Sequence, residues 1–382
     1  MSVENKKKIV IWHEYDGKAD TILGFLEEIA KEISEKINVD FIFKMMNMVE
    51  YKEKLSNIYR TQNGPHMALI PSDLIAFAER GLFSEVPESI FDGYADKKIY
   101  KTMSYKGKQY GVPLLGGNNA VIYYNKEILK NVPRDFQELR KMKVEFQKKG
   151  ITPMAVDMEI PFWFIPFFSA FDGWPIKDEN LKLDFDALKK TFEFLRELMQ
   201  EGIIVHYSSI DPVTNTDSTK SMIGNFIDGK IACMMNGEWI CDYLIRSSCK
   251  EKLGVCLIPN IKGKQAKVTT STAGVVFPCN SLESQYKEPI MEFVKYMMSE
   301  ECQLRLFKEI NRIPVNKKVV EEVKRSGSEV IKGILNQLNF SETIPVDLKM
   351  KSIWDDIELG IKMLKDESNS IEDIVKVVLH EN

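Results

Sequence analysis

Aromatic rings and short polar loops are the side chains of this sequence most suited to chemistry. The run Ile160-Pro161-Phe162-Trp163-Phe164-Ile165-Pro166-Phe167-Phe168 is followed by Asp172-Gly173-Trp174, and Trp239 and Trp354 stand apart from it. Flat rings stack on the apolar faces of sugars and other planar ligands at little entropic cost. Each also has a plainer reading: the run from Ile160 suits a helix buried on all sides, and Trp239, in Asn236-Gly237-Glu238-Trp239, suits a core tryptophan at a strand–loop–helix junction. The polar candidates are His13-Glu14-Tyr15-Asp16, Ser72-Asp73 and Asn118-Asn119. Together these residues point to holding a ligand by stacking and hydrogen bonding. Stacking rings also suit choline-like cations, with Glu14, Asp16, Asp73 and Glu238 as countercharge.

Catalytic signatures are sparse. The chain has no H-E-x-x-H, G-x-S-x-G, Walker A or EF-hand pattern, and its four histidines, His13, His66, His206 and His380, are far apart. A glycosidase needs two carboxylates flanking a bond, and many acidic residues could meet that requirement, so a hydrolase stays an alternative. Gly116-Gly117 lacks the dinucleotide fingerprint, and no cofactor or metal is expected. The six cysteines, Cys233, Cys241, Cys249, Cys256, Cys279 and Cys302, match no paired zinc spacing and are expected as free, mostly buried thiols.

The elements that would position these residues follow from periodicity. Lys8 to Trp12 is a continuously apolar strand with His13 to Gly17 as the loop beyond it, and Ile22, Leu26, Ile29, Ala30 and Ile33 recur at helical spacing. Val39 to Phe43 and Met67 to Ile70 are further strands, separated by a helix from Tyr51 to Tyr59. Ser72 is expected to cap a helix that Gly81 closes. This alternation predicts a parallel sheet covered on both faces, with ligands bound beyond the carboxyl ends of its strands. The later chain repeats the pattern: a helix from Asp135 to Lys149, a strand over Thr152 to Val156, a helix capped by Asp184 or Asp186, a strand over Leu253 to Pro259, and one strand over Thr269 to Phe277.

At 382 residues two lobes are expected. With 52 basic and 56 acidic residues the net charge is −4, which argues against nucleic-acid binding. No stretch has the apolar length of a membrane span.

The order of elements resembles the extracellular solute-binding proteins of ABC importers, in their maltose-binding-protein-like group. The most specific match is Tyr110-Gly111-Val112-Pro113 with Tyr123-Tyr124-Asn125-Lys126-Glu127-Ile128-Leu129. Phe226-Ile227-Asp228-Gly229-Lys230-Ile231-Ala232 through Asn236-Gly237-Glu238-Trp239 matches a second block. Val10-Ile11-Trp12, Gly64-Pro65 with Ser72-Asp73, Thr272-Ala273-Gly274 and Phe293 to Met297 fit as well.

The resemblance implies an α/β, two-lobed periplasmic-binding-protein fold of class II type, each lobe a mainly parallel sheet flanked by helices. It places residues 1–115 with about 269–314 in the N-terminal lobe, and about 120–265 with about 318–382 in the C-terminal lobe. Hinge crossovers are expected near 113–120, 265–270 and 314–318. It implies reversible binding of a small carbohydrate or sugar-like solute, no catalysis, a monomer, and a membrane permease of an ABC importer as partner. Asp16, Asp73, Trp163, Trp239 and Trp354 match positions where the family holds its sugar, charged groups in the first lobe and rings in the second. Ile160 stands where maltose binders place an acid, Phe162 where a tyrosine is usual, and Ile70 where an aromatic is usual. These departures remove polar contacts, so the resemblance implies a carbohydrate without fixing maltodextrin. The expected ligand set is His13, Glu14, Asp16, Ser72, Asp73, Asn118, Asn119, Phe162, Trp163, Trp174, Asn236, Trp239 and Trp354.

The family is exported, often as a lipoprotein, and the sequence shows neither a signal h-region nor a cysteine near its start. The expectation is an extracellular or cell-surface protein whose signal segment is absent from this sequence. The alternative is a cytoplasmic ligand sensor or accessory binding protein that has lost export.

Overall fold

The structure, a computed structural model, describes residues 6–15, 21–46, 48–61, 64–91, 93–177, 180–207 and 218–381. Its contacts divide the chain into two units. The first holds the residues up to Asn118, Trp239–Tyr243 and Ser271–Gly327, and the second holds Asn119–Glu238, Leu244–Thr270 and the residues from Ser328 onward.

In the first unit the strand Lys7–His13 forms because Ile9 and Ile11 alternate into the core beneath the helix Ile22–Ile37. That helix buries Ile22, Phe25, Leu26, Ile29, Ala30 and Ile33 along one stripe and ends at Asn38 in the left-handed region. The sheet runs in the order Val39–Met45, Lys7–His13, Met67–Pro71, Ala273–Val276, Gly111–Leu115. The first three strands are mutually parallel, whereas Ala273–Val276 is antiparallel to both of its neighbours. Gly274 permits its close approach to the next strand, since a Cβ there would lie 2.2 Å from the carbonyl oxygen of Val112.

The second unit repeats the arrangement with other segments. Its sheet order is Ile204–His206, Thr152–Val156, Ile231–Gly237, Ala120–Asn125, Leu253–Cys256. Again the first three strands are parallel and the fourth is antiparallel to both neighbours. The architecture is thus mixed α/β with helices flanking each sheet. The expected mainly parallel sheets need a correction in pairing: one reversed strand sits inside each sheet, so parallel and antiparallel pairings are equally represented.

Three local expectations change. His13 is the last residue of its strand, not loop, because it continues the register with Met45. The segment Ser72–Arg80 is a 3-10 helix whose N-cap is Pro71. The Ser72 hydroxyl accepts the Thr272 N–H at 3.3 Å instead of capping its own helix, while Gly81 does close that helix at φ 67°. The run expected as one strand from Thr269 splits into Val268–Thr270, paired with Ser341–Thr343, and Ala273–Val276, so that the passage between units falls at Thr270/Ser271.

The passage at 327/328 comes later than the sequence suggests. The helix Lys317–Ser326, capped by Asn316, packs on Glu300–Ile310 within the first unit. Cys233, Cys241, Cys249 and Cys302 are buried, Cys256 is half-buried, Cys279 is exposed, and all six are free thiols. Among the described residues, no helix is long and apolar enough to cross a membrane.

Candidate functional site

The first unit gathers polar groups at the carboxyl ends of Lys7–His13 and Met67–Pro71. His13 is buried, at 1% exposure, with its ring stacked on Tyr15 at 6.1 Å and edge-on to Phe43 at 6.0 Å. Burial pushes its imidazole below the ordinary range, partly opposed by a backbone hydrogen bond at Tyr15. Glu14 and Tyr15 are half-buried, and Asp16 lies outside the described residues. Tyr51, on the helix Met48–Thr61, underlies this loop: its hydroxyl donates to the Leu69 carbonyl at 2.7 Å. Burial, then the charges of Glu14 and Tyr15, raise the Tyr51 phenol well above its usual value.

Asp73 begins the 3-10 helix beside this group. The residue keeps some solvent exposure, yet protein crowds its carboxyl enough that burial raises its pKa, against the opposing field of Lys52. Lys52, whose charge reaches Asp73, is a candidate that sequence reasoning missed. The available signal was its place next to Tyr51 at the start of a helix that follows a strand. Ser72, by contrast, is committed to structure: it is buried, its N–H donates to Thr272 O at 2.8 Å and its hydroxyl accepts from Thr272.

Asn118 and Asn119 separate in role. Asn118 has φ 46°, is half-buried and donates from its amide to the Ser271 hydroxyl. Asn119 is fully buried, its side-chain amide donates to Ala120 O at 3.1 Å, and its backbone carbonyl accepts the Glu238 N–H at 3.1 Å. Asn236 is likewise buried, with its Oδ1 accepting the Gly237 N–H at 2.8 Å. These bonds shape the chain at the end of Ile231–Gly237.

The aromatic cluster divides by burial. Phe164, Phe167 and Phe168 are fully buried in or beside the short helix Ile165–Ala170, where Phe164 meets Phe168 and Phe192, and Phe167 meets Phe136. For these rings the plain packing reading holds. Trp163, at 5% exposure, is nearly enclosed and meets Phe162 edge-on at 4.9 Å. Phe162 is half-buried and Ile160 is 39% exposed. Trp354 is half-buried on the helix Met350–Leu364, which packs against the turn Pro161–Trp163. The structure therefore places Phe162 and Trp163 together and packs their turn against the helix that carries Trp354, all within the second unit. Trp174 is half-buried beyond the end of that short helix.

Trp239 is half-buried in the turn Glu238–Ile240. Its contacts group Trp239–Tyr243 with the first unit, although the resemblance implies a ring of the second lobe. The reason lies three residues on, where buried Asp242 accepts a hydrogen bond from Asn311 at 2.8 Å.

The carboxyl ends of Thr152–Val156 and Ile204–His206 carry a further group that the sequence reading passed over: Asp157, Glu159 and His206, with Lys365 reaching Glu159 at 2.5 Å. The strand-end rule that singled out His13 applies equally to His206, which closes a short apolar strand. Among the described residues, no set of three or more His, Cys, Asp or Glu side chains is placed to hold a metal ion. The first unit thus offers carboxylates with the Lys52 ammonium nearby, and the second offers aromatic rings with the Glu159–Lys365 pair, group types that hold polyhydroxylated or weakly cationic solutes.

Comparison with known proteins is consistent with that chemistry. A family model described as bacterial extracellular solute-binding protein matches residues 28–330. The chain is 25% identical over 385 aligned positions to the maltotriose-binding protein of Pyrococcus abyssi, covering 97% of this chain and 80% of that protein. It is 23% identical over 352 positions to the maltooligosaccharide ABC transporter solute-binding lipoprotein of Streptococcus pneumoniae TIGR4, covering 87% and 79%. It is 19% identical over 382 positions to the maltodextrin-binding protein MdxE of Bacillus subtilis, covering 94% and 88%.

Proposed function

This chain belongs to the bacterial extracellular solute-binding proteins, and from that membership we propose that it reversibly binds a carbohydrate of the maltooligosaccharide type and delivers it to the permease of an ABC importer. The observation that carries this reading is the packing of the helix that bears Trp354 against the turn that bears Phe162 and Trp163 in the second unit. Phe162 and Trp354 are half-buried and not enclosed, and rings of this kind stack on sugars. Glu14, Asp73 and Lys52 of the first unit supply the charged hydrogen-bonding groups, in keeping with the placing of ligands beyond strand carboxyl ends.

In this reading the two units are the lobes of a class II periplasmic-binding-protein fold, joined by crossovers near 118/119, 270/271 and 327/328, and they close by a hinge on the ligand. The protein works as an extracellular monomer and carries out no covalent chemistry.

Titration with maltose, maltotriose, choline and putrescine, read by tryptophan fluorescence and by melting temperature, tests the proposal. Binding to the folded state alone raises the melting temperature by mass action. A saturable response to the oligosaccharides and none to the amines is expected. A response confined to the amines, or conversion of maltotriose to shorter sugars, would overturn the reading.

A further inference from the structure

His206 stands at the end of the edge strand Ile204–His206, and its two ring nitrogens face two different segments of the second unit. Nδ1 accepts the backbone N–H of Met158 at 3.1 Å. A backbone N–H can only donate, so Nδ1 must be unprotonated and the imidazole neutral, with its proton on Nε2. Nε2 faces Glu159 Oε1 at 3.5 Å, and that same oxygen is held by the Lys365 ammonium at 2.5 Å.

Both contacts lead to rings. Met158 and Glu159 belong to the four-residue loop between the strand Thr152–Val156 and the turn Pro161–Trp163. The loop is further fixed by the Glu159 N–H on Asp157 Oδ1 at 3.1 Å, and by the Trp163 N–H on Ile160 O at 3.0 Å. Lys365 is the C-cap of the helix that carries Trp354, and that helix packs on the same turn. One imidazole and one ion pair therefore join an edge strand, the Phe162–Trp163 turn and the Trp354 helix, which are remote in sequence.

We propose that neutral His206 is a positioning residue: through Met158 and the Glu159–Lys365 pair it holds the Phe162–Trp163 turn and the Trp354 helix in the arrangement that receives the ligand, and its protonation releases them. The part concerning ligand rests on the sugar-binding reading above. Protonating Nδ1 would set N–H against N–H at Met158, so the loop bond must break. The charged groups around the ring are Glu159, Lys365 and, close to Glu159, Lys362, with Asp157 at the start of the loop. Burial and the Lys365 charge disfavour the imidazolium more than Glu159 favours it.

The test uses the full chain and two variants, His206→Ala and His206→Asn. The Asn side chain places an amide oxygen near the position of Nδ1, where it can accept the Met158 N–H without titrating. Near-ultraviolet circular dichroism of the ligand-free protein from pH 8 to pH 5 reports the tryptophan environments, and maltotriose titration reports affinity. For the wild type both signals fall together as pH drops below the imidazole range. His206→Asn keeps the neutral-pH signals across the range. His206→Ala shows the acid-form spectrum at all pH values and binds maltotriose about tenfold more weakly, about 1.4 kcal/mol.

A pH response in His206→Asn equal to that of the wild type would assign the effect to His13 or His66 and overturn the proposal. So would a His206→Ala protein that is less stable but has the wild-type spectrum and affinity. If the alanine variant fails to fold, the comparison of the asparagine variant with the wild type decides alone. If maltotriose binds none of the three proteins, the sugar reading fails, while the ligand-free spectra still decide whether His206 positions the rings.

Discussion

The Tyr51 hydroxyl donates to the carbonyl oxygen of Leu69 at 2.7 Å, fully buried, and so ties the helix Met48–Thr61 to the strand that leads into Asp73. Replacing Tyr51 by Phe keeps the ring and removes the donor. A buried acceptor that loses its partner costs about 1–2 kcal/mol. Urea denaturation should show that loss with an unchanged slope, and an unchanged midpoint would mean that Tyr51 acts only by filling space.

Stability should fall on mild acidification. His13, His66 and His206 are all held below the ordinary imidazole value of 6.5, with burial the largest cause in each. His66 and His206 also use Nδ1 to accept backbone N–H groups, from Val10 at 3.0 Å and Met158 at 3.1 Å. The unfolded chain then binds protons more readily than the folded one, so the unfolding free energy drops as pH falls through 6.5 toward the depressed folded values and is fully present above that window. Glu32, whose carboxyl is lowered by its hydrogen bond from Arg305, adds to the loss only below its ordinary 4.5. Denaturation curves at pH 7.5, 6.5 and 5.5, values chosen around the roughly neutral imidazole range, check this; identical midpoints would refute it.

Two glycine substitutions should have opposite signs. Gly24 is exposed in the helix Ile22–Ile37 and a Cβ there meets nothing within 4 Å. Gly24→Ala should stabilise by about 0.5–1 kcal/mol by reducing the freedom of the unfolded chain. At Gly274 the added Cβ would lie 2.2 Å from Val112 O and 2.8 Å from Pro113 Cα, both backbone atoms. Gly274→Ala should destabilise by about 1–3 kcal/mol, because the strands must shift apart. Thermal unfolding of the two variants in parallel checks the signs.

The tryptophans should divide in the same way. Trp163 is nearly enclosed, so Trp163→Ala should cost about 3–5 kcal/mol of stability. Trp239 and Trp354 are half-buried, and their alanine variants should lose maltotriose affinity with much smaller losses of stability. Paired denaturation and titration of each variant distinguishes them. A stability loss at Trp239 as large as that at Trp163, with affinity unchanged, would return Trp239 to a packing role.

Much of the fold is legible locally. The helix Ile22–Ile37 follows from its apolar stripe, Asp184 caps its helix by accepting the Ala187 N–H, and Gly81 ends a turn that needs positive φ. Such features depend on neighbours within one or two turns. The reversed strand Ala273–Val276 has no local mark, since its direction is set by which strands it enters between, and its apolar residues suit either direction. The candidate site shows the same division: Asp73 and Trp354 could be named from position in the sequence, whereas the field of Lys52 on Asp73 could not.

By itself, then, the sequence determined the alternation of strands and helices, the placing of polar residues at strand ends, and the supply of rings around Phe162, Trp239 and Trp354. Those properties are local, fixed by periodicity, capping and side-chain type. Only the tertiary structure decided which rings are enclosed and which are half-buried, that Ser72 and Asn119 serve the backbone, and that His206, Glu159 and Lys365 meet. Burial and hydrogen-bond partnership depend on what long-range packing brings to each side chain, and no spacing along the chain encodes the meeting of residues 159, 206 and 365.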